Sequence, residues 1–196
     1  MAIDAKMVAE LRKITGAGMM DAKNALIKTD GDIEKAVEEL RKNGSLKAAK
    51  KSERSTSEGQ VHAYIHANGK LGAMVEVLCE TDFVARNEVF LTMCHDLALH
   101  VSASDPLYLT REVVPVDLVE KEKAIYLEAM AGENKPADIL EKIIEGKINK
   151  WYGEIVLMEQ PFIKDEDLTV ADFIESKIAS LGENIKISRF IRFNID

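Results

Sequence analysis

From Leu71 to Glu80 the chain alternates one for one, with Leu71, Ala73, Val75, Val77 and Cys79 set against Gly72, Met74, Glu76, Leu78 and Glu80. A period of two predicts a strand with one buried face. Residues 60–67 also alternate, with Val61, Ala63, Ile65 and Ala67 on the side expected to be apolar, and Asn68-Gly69 between the two runs is the strongest short hairpin signal. The two strands are expected to pair. Beyond Glu80 the period becomes helical, with Val84, Leu91, Cys94, Ala98 and Val101 expected inward. Thr81 or Asp82 is the natural N-cap, because a side-chain oxygen there accepts a hydrogen bond from a first-turn N–H that has no helical partner. Phe83 follows the cap directly, and the pattern leaves two readings open. Phe83 belongs to the helix–sheet core with Phe90 and Leu97 while Asp82 only caps, or the junction presents an acidic and an aromatic side chain to a partner at the sheet edge.

Ahead of the strands, Ile3, Met7, Leu11 and Ile14 share one helix face, and Thr15-Gly16-Ala17-Gly18 ends that helix. A second helix starts near Met19 and turns Ala22, Ala25 and Leu26 inward. After the turn Thr29-Asp30-Gly31-Asp32, a third carries Ile33, Ala36, Val37 and Leu40, and Asn43-Gly44 is expected to stop it. Three short amphipathic helices predict a separate small bundle at 1–44, and Gly31-Asp32 with Ile33, Ala36 and Leu40 resembles the third helix of UBA-like bundles. Met19 and Met20 are adjacent and cannot both enter one narrow stripe, so one is expected outside, as an idle surface residue or as a soft contact. Across 45–58 the periodicity fades and Lys47, Lys50, Lys51 and Arg54 stand among Ser, Thr and Ala, which reads as a basic linker to a body at 59–196.

Pro106 and Pro115 interrupt the chain before a helix expected from Val116 to Ala131. Pro136 opens another, with Ile139, Leu140, Ile143, Ile144 and Ile148 inward to about Lys150. A short apolar run, Glu154 to Met158, is expected to close in a turn at Gln160-Pro161-Phe162. Residues 169–180 read as a helix. Ile185, Ile187, Phe190, Ile191, Phe193 and Ile195 form a β tail, irregular at Ser188-Arg189, as the third strand. The expected class is α+β: a three-helix UBA-like bundle, then an α+β core whose three-stranded antiparallel sheet packs on helices.

Composition narrows the function. A chain of 196 residues, 46% hydrophobic, can bury a core, and no apolar run is long enough to span a membrane. The start is amphipathic and contains Asp4 and Glu10, unlike a secretory or transit signal, so a cytoplasmic location is expected. Cys79 and Cys94 fall on apolar faces and read as small buried hydrophobes in a reduced compartment. The net charge of −8 is uneven: residues 1–54 hold 12 basic and 9 acidic side chains, the remainder 14 and 25. An acidic body lacks the basic footprint of a nucleic-acid binder, and the linker has no aromatic for stacking, so the expected partner is a protein.

Chemical motifs do not emerge. His62 and His66 lie about 13 Å apart along a strand, too far to share a metal ion, and Cys94-His95 point in two directions on a helix. Gly16-Ala17-Gly18 has no preceding strand, no third glycine of the dinucleotide fingerprint and no Gly-Lys-Ser/Thr ending. No metal, cofactor or nucleophile–base pair is expected, and therefore no enzyme.

Two stretches carry a resemblance. Leu11-Arg12-Lys13-Ile14-Thr15-Gly16-Ala17-Gly18-Met19-Met20-Asp21-Ala22-Lys23-Asn24-Ala25-Leu26 and Glu76-Val77-Leu78-Cys79-Glu80-Thr81-Asp82-Phe83-Val84-Ala85-Arg86 resemble the two signatures of the translation elongation factor Ts family, and the likeness covers essentially the whole chain. Leu78 departs from that pattern, where the family usually has Asn. The resemblance implies a guanine-nucleotide exchange factor for elongation factor Tu in its GDP form, with no direct nucleic-acid or membrane contact. It assigns partner binding to Leu11, Arg12, Met19, Met20, Asp82, Phe83 and Val84. The wedge that disturbs the partner's magnesium site would be Thr81, Asp82, Phe83 and Val84, and this moves Phe83 from core to contact. Longer members carry two core copies and this chain one, so a homodimer is expected, through Trp151, Tyr152 and Ile155 or through Phe190 and Phe193. The competing reading is a UBA-type interaction adaptor acting through residues 1–43.

Overall fold

The computed structural model describes residues 3–130 and 136–195. Three helices come first: α1 (Ala5–Thr15), α2 (Met19–Lys28) and α3 (Ile33–Ala49). Asp4 and Asp32 cap α1 and α3 through their carboxylates, and Gly16, at φ 67°, ends α1 in the left-handed conformation that glycine adopts without strain. Val8, Leu11, Ala22, Ala25, Leu26 and Ala36 form a small core of their own.

The expected stop at Asn43-Gly44 is corrected: α3 continues to Ala49, so the first part of the basic stretch is helix. The reason is tertiary. The end of α3 packs on α8 (Val170–Leu181), where Gly44 and Ala48 are buried and Ala48 joins the main core. Arg41 binds Asp172 at 3.3 Å, and Ser45 donates to Glu175.

The sheet joins β1 (Glu58–Ile65), β2 (Leu71–Cys79) and β5 (Lys186–Asn194), antiparallel and in the order β1-β2-β5. The irregularity expected at Ser188-Arg189 is present, because Glu76 pairs Arg189 and Val77 pairs Ile187, leaving Ser188 as the extra residue. Asn68-Gly69 makes the turn, with Gly69 at φ 69° and the Asn68 carboxamide oxygen accepting from the Lys70 N–H at 2.9 Å.

One expectation about this hairpin is reversed. Gln60, His62 and Tyr64 face the helical layer, and Val61, Ala63 and Ile65 face out. Residues opposite one another across a ladder share a face, and Gln60, His62 and Tyr64 oppose the buried Val77, Val75 and Ala73. His62 is therefore half-buried against the helical layer and does not point out into solvent as expected. Its Nε2 lies 3.4 Å from Nδ1 of His95.

The helical layer begins with α4 (Asp82–Ala85) and α5 (Glu88–Ser104), which are separate because Asn87 caps the second. Phe90, Met93, Cys94, Leu97, Ala98 and Val101 are buried, whereas Leu91, expected inward, lies at the exposed margin. They join Val75, Val77 and Cys79 of β2 and Phe173, Ile174 and Ile178 of α8 in the main core. Cys79 and Cys94 are free and buried, and burial pushes their thiols up to about 11 and 12, so both stay protonated and inert.

A hairpin of α6 (Val116–Ala129) and α7 (Ala137–Ile155) packs around Met130, Ile144 and Ile148. The expected end of α6 at Ala131 falls outside the described residues. Helix α7 runs five residues past the expected Lys150. Gln160-Pro161-Phe162 is not a simple turn, because β3 (Pro161–Phe162) pairs with β4 (Asp165–Thr169). Helix α8 follows under a capping box formed by Thr169 and Asp172. Among the described residues no helix is long and apolar enough to cross a membrane, and no three metal-binding side chains gather.

Candidate functional site

Strand β2 ends at Cys79, and the chain turns through Glu80-Thr81 into α4. Thr81, not Asp82, is the cap: its Oγ1 accepts from the Val84 N–H at 3.4 Å. Its carbonyl accepts a hydrogen bond from the Cys79 thiol at 3.2 Å. Below the loop, Ala85 is buried and Val84 packs against the main core, so α4 has one anchored side. The Gln60 amide donates to the Ala85 carbonyl at 3.3 Å and ties α4 to β1.

That anchoring turns Phe83 outward. Its side chain is 84% exposed, against 0% for Phe90 and Leu97, so the core reading of Phe83 is overturned. A side chain that could bury roughly 150–250 Å² is held in water by a structured loop. Asp82 stands beside it, half-buried and paired with Arg86 at 3.2 Å. Leu78 occupies the sheet's outward face, half-buried between Gly59 and Lys186.

Residues missed by sequence reasoning hold this loop. Glu183 Oε2 accepts from the N–H groups of Glu80 (3.1 Å) and Thr81 (3.0 Å), and its Oε1 accepts from the Thr81 hydroxyl at 2.6 Å. The N–H of Asn184 donates to Glu80 Oε1 at 2.6 Å. The one local signal was Gly182-Glu183-Asn184, a helix stop followed by two polar residues, which does not name a partner a hundred positions away.

The second candidate surface lies on the bundle. Met19 and Met20, at the start of α2, are 62% and 66% exposed, so both face out where only one was expected to. Helix α2 gains its burial from Ala22, Ala25 and Leu26, which sit one turn further on. Arg12 is exposed, and its Nε donates to the Ala17 carbonyl at 3.2 Å, bracing the loop that leads to the methionines. Leu11 is corrected. It is fully buried in the bundle core and has no surface to offer a partner.

A third apolar surface is the sheet's outer face, where Val61, Ile65, Met74, Ile191, Phe193 and Ile195 are exposed. The pairings Ala63–Met74, Met74–Ile191 and Gly72–Phe193 make it continuous across the three strands. Trp151 and Tyr152, by contrast, pack on one another with both rings half-buried.

The Glu183 carboxylate is taken up by the Thr81 hydroxyl and two backbone N–H groups, and what the loop turns outward is an aromatic surface. The family model for Elongation factor TS matches residues 4–196. Elongation factor Ts of Geobacter sulfurreducens is 55% identical over 193 residues, covering 98% of this chain and 89% of that protein. Elongation factor Ts of Fervidobacterium nodosum is 52% identical over 195 residues, covering 100% and 99%. The protein of the same name from Oleidesulfovibrio alaskensis is 51% identical over 194 residues, covering 99% and 98%. With the exposed aromatic, its anchored loop and the methionine surface in place, the match along the whole chain makes this protein a member of the elongation factor Ts family, and so a translation elongation factor.

Proposed function

We propose that the protein is a guanine-nucleotide exchange factor that binds elongation factor Tu in its GDP form and speeds GDP release. The observation that carries this is Phe83, an aromatic 84% exposed on a loop whose Glu80 and Thr81 N–H groups are both held by Glu183. A rigid exposed aromatic loses little freedom on binding and suits insertion between elements of a partner. Asp82 beside it adds a carboxylate that would compete for the environment of the partner's magnesium ion. Phosphate affinity drops when the cation bridging its oxygens is disturbed. If this protein and GDP favour different conformations of the G protein, each weakens the other by the same factor. No covalent bond is made or broken, so the role is exchange and not catalysis of a reaction.

Arg12, Met19 and Met20 supply the second contact, and the UBA-like bundle at 1–44 is the part that grips the nucleotide-binding domain. The basic segment 45–58 then sets the distance between the two contacts. The working unit is a homodimer joined through the outer sheet face, whose apolar residues a second copy would cover around a two-fold axis. The place of action is the cytoplasm, where its partner works, without direct contact to nucleic acid or membrane. Stopped-flow release of a fluorescent GDP from elongation factor Tu, with and without this protein, tests the proposal. Acceleration is expected, and an unchanged release rate would remove it.

A further inference from the structure

Beyond the wedge residues themselves, we infer that Glu183 is a positioning residue for exchange, acting through Thr81; this rests on the exchange reading above. Glu183 sits in the turn between α8 and β5, 102 residues from Thr81. The ladder of β2 ends at the pairs Glu58–Cys79 and Lys186–Leu78, so the N–H groups of Glu80 and Thr81 lie past its last rung. One carboxylate oxygen of Glu183 takes both.

The other oxygen sets the cap. A threonine hydroxyl has a single proton, and at 2.6 Å from Glu183 Oε1 that proton is committed to the carboxylate. The hydroxyl lone pairs are then the groups left to face the Val84 N–H, which is the contact observed. Glu183 thus fixes both the backbone entering α4 and the polarity of its cap. Phe83 lies within that turn, and its outward direction depends on both.

Asn184 extends the same joint to the bundle side. Its N–H donates to Glu80, and its carboxamide donates to the carbonyls of Arg54 at 2.9 Å and Ser52 at 3.3 Å. Arg54 also pairs with Glu80 at 3.5 Å. The chain leaving α3 and the loop bearing Phe83 therefore meet on one two-residue turn. A factor that must touch its partner at two places needs them held in register, and this turn is where their supports converge.

The test is single-turnover release of fluorescent GDP from elongation factor Tu over a range of concentrations of the full chain, with amide exchange read in parallel. Glu183→Ala is expected to lower the rate at saturation about tenfold, the scale of losing hydrogen bonds to a charged group. The half-saturating concentration should stay within about twofold, because the bundle contact is untouched. Amides of Glu80 and Thr81 should exchange faster. Glu183→Gln keeps an acceptor for both N–H groups and should recover most of the rate, and adding Thr81→Val to Glu183→Ala should cost less than Thr81→Val costs alone, since the contact between hydroxyl and carboxylate is common to both. A saturating rate for Glu183→Ala within twofold of the parent overturns the role of Glu183 alone, as does a loss confined to half-saturation. A parent that fails to accelerate release overturns the exchange reading and this inference together. If Glu183→Ala does not fold, Thr81→Val decides: a rate within twofold of the parent overturns the inference, and a drop of about tenfold upholds it.

Discussion

His100 and Gln160 meet in the interior at 3.0 Å, and the pair fixes the protonation state of the histidine. The Gln160 amide donates to the carbonyls of Glu154 (2.7 Å) and Ser104 (3.1 Å), which leaves its oxygen to face His100 Nε2. Nε2 must then carry a proton, while Nδ1 accepts from the Ile163 N–H at 3.2 Å. The buried ring is neutral, with every polar atom paired.

Burial holds His100 below its ordinary value of 6.5, and the hydrogen bond to Gln160 opposes this only in part. Burial, with His95 second, lowers His62 as well. The unfolded chain takes up these protons first as the pH falls, so stability is expected to decline from about pH 7 downward through 6.5, until the folded-state values are passed. Melting temperatures between pH 5 and 8 read this. His100→Gln should start lower and vary less with pH, because a buried histidine whose burial opposes protonation is gone.

Phe83→Ala should slow GDP release from elongation factor Tu by about 30-fold or more, the scale of an aromatic anchor worth about 2–4 kcal/mol. Its melting temperature should match the parent's, since a residue 84% exposed contributes little to the core. A large fall in melting temperature with normal exchange per folded molecule would return Phe83 to a structural role.

Changing Met19 and Met20 together to Ser should leave the urea midpoint within about 0.5 kcal/mol of the parent. The half-saturating concentration for exchange should rise about tenfold, as expected for two soft contacts of about 1 kcal/mol or less each. Unchanged half-saturation would place the partner elsewhere on the bundle.

Light scattering at micromolar concentration should give about twice the 21.8 kDa chain mass. Lysine at both Ile65 and Phe193, exposed on the outer sheet face, should yield a monomer with an unchanged circular dichroism spectrum. A parent that runs as a monomer would set the dimer aside.

Gly59→Ala should be among the most damaging single changes. At φ 154°, an added Cβ would fall 2.1 Å from the Val77 carbonyl oxygen in the neighbouring strand. The strands cannot separate locally without losing ladder bonds beside the wedge loop. A loss of at least about 2 kcal/mol in urea unfolding is expected.

Much of this protein was legible in its residues because the signals were local. The period of two at Leu71–Glu80, the helix end at Thr15-Gly16-Ala17-Gly18 and the apolar row of α7 each depend on neighbours within a few positions, and those interactions act before the chain is packed. The bulge at Ser188 showed as a slip in alternation. Even the inverted face of β1 had a readable trace. The short loop around Asn68-Gly69, closed where the His66 N–H donates to the Leu71 carbonyl at 2.8 Å, sets Ile65 opposite Gly72 and Val61 opposite Glu76, on β2's solvent side, and that register outranks the hydropathy of Val61 and Ile65.

Packing decided the rest. Residues 43 and 44 carry a helix-stop pattern, yet α3 continues because packing against α8 buries Gly44 and Ala48. An aromatic after a cap is equally good in a core or in solvent as far as its neighbours are concerned, and Phe83 went outward because Ala85 and Val84 took the inner side of α4. The link from Glu183 to Thr81 spans 102 positions, and a carboxylate that finds its donors only after a sheet has assembled leaves no periodic mark. Local sequence determined the elements; which faces they hid, and which side chains they brought to the wedge, followed from a three-dimensional contest for buried area and hydrogen-bond partners that no short window contains.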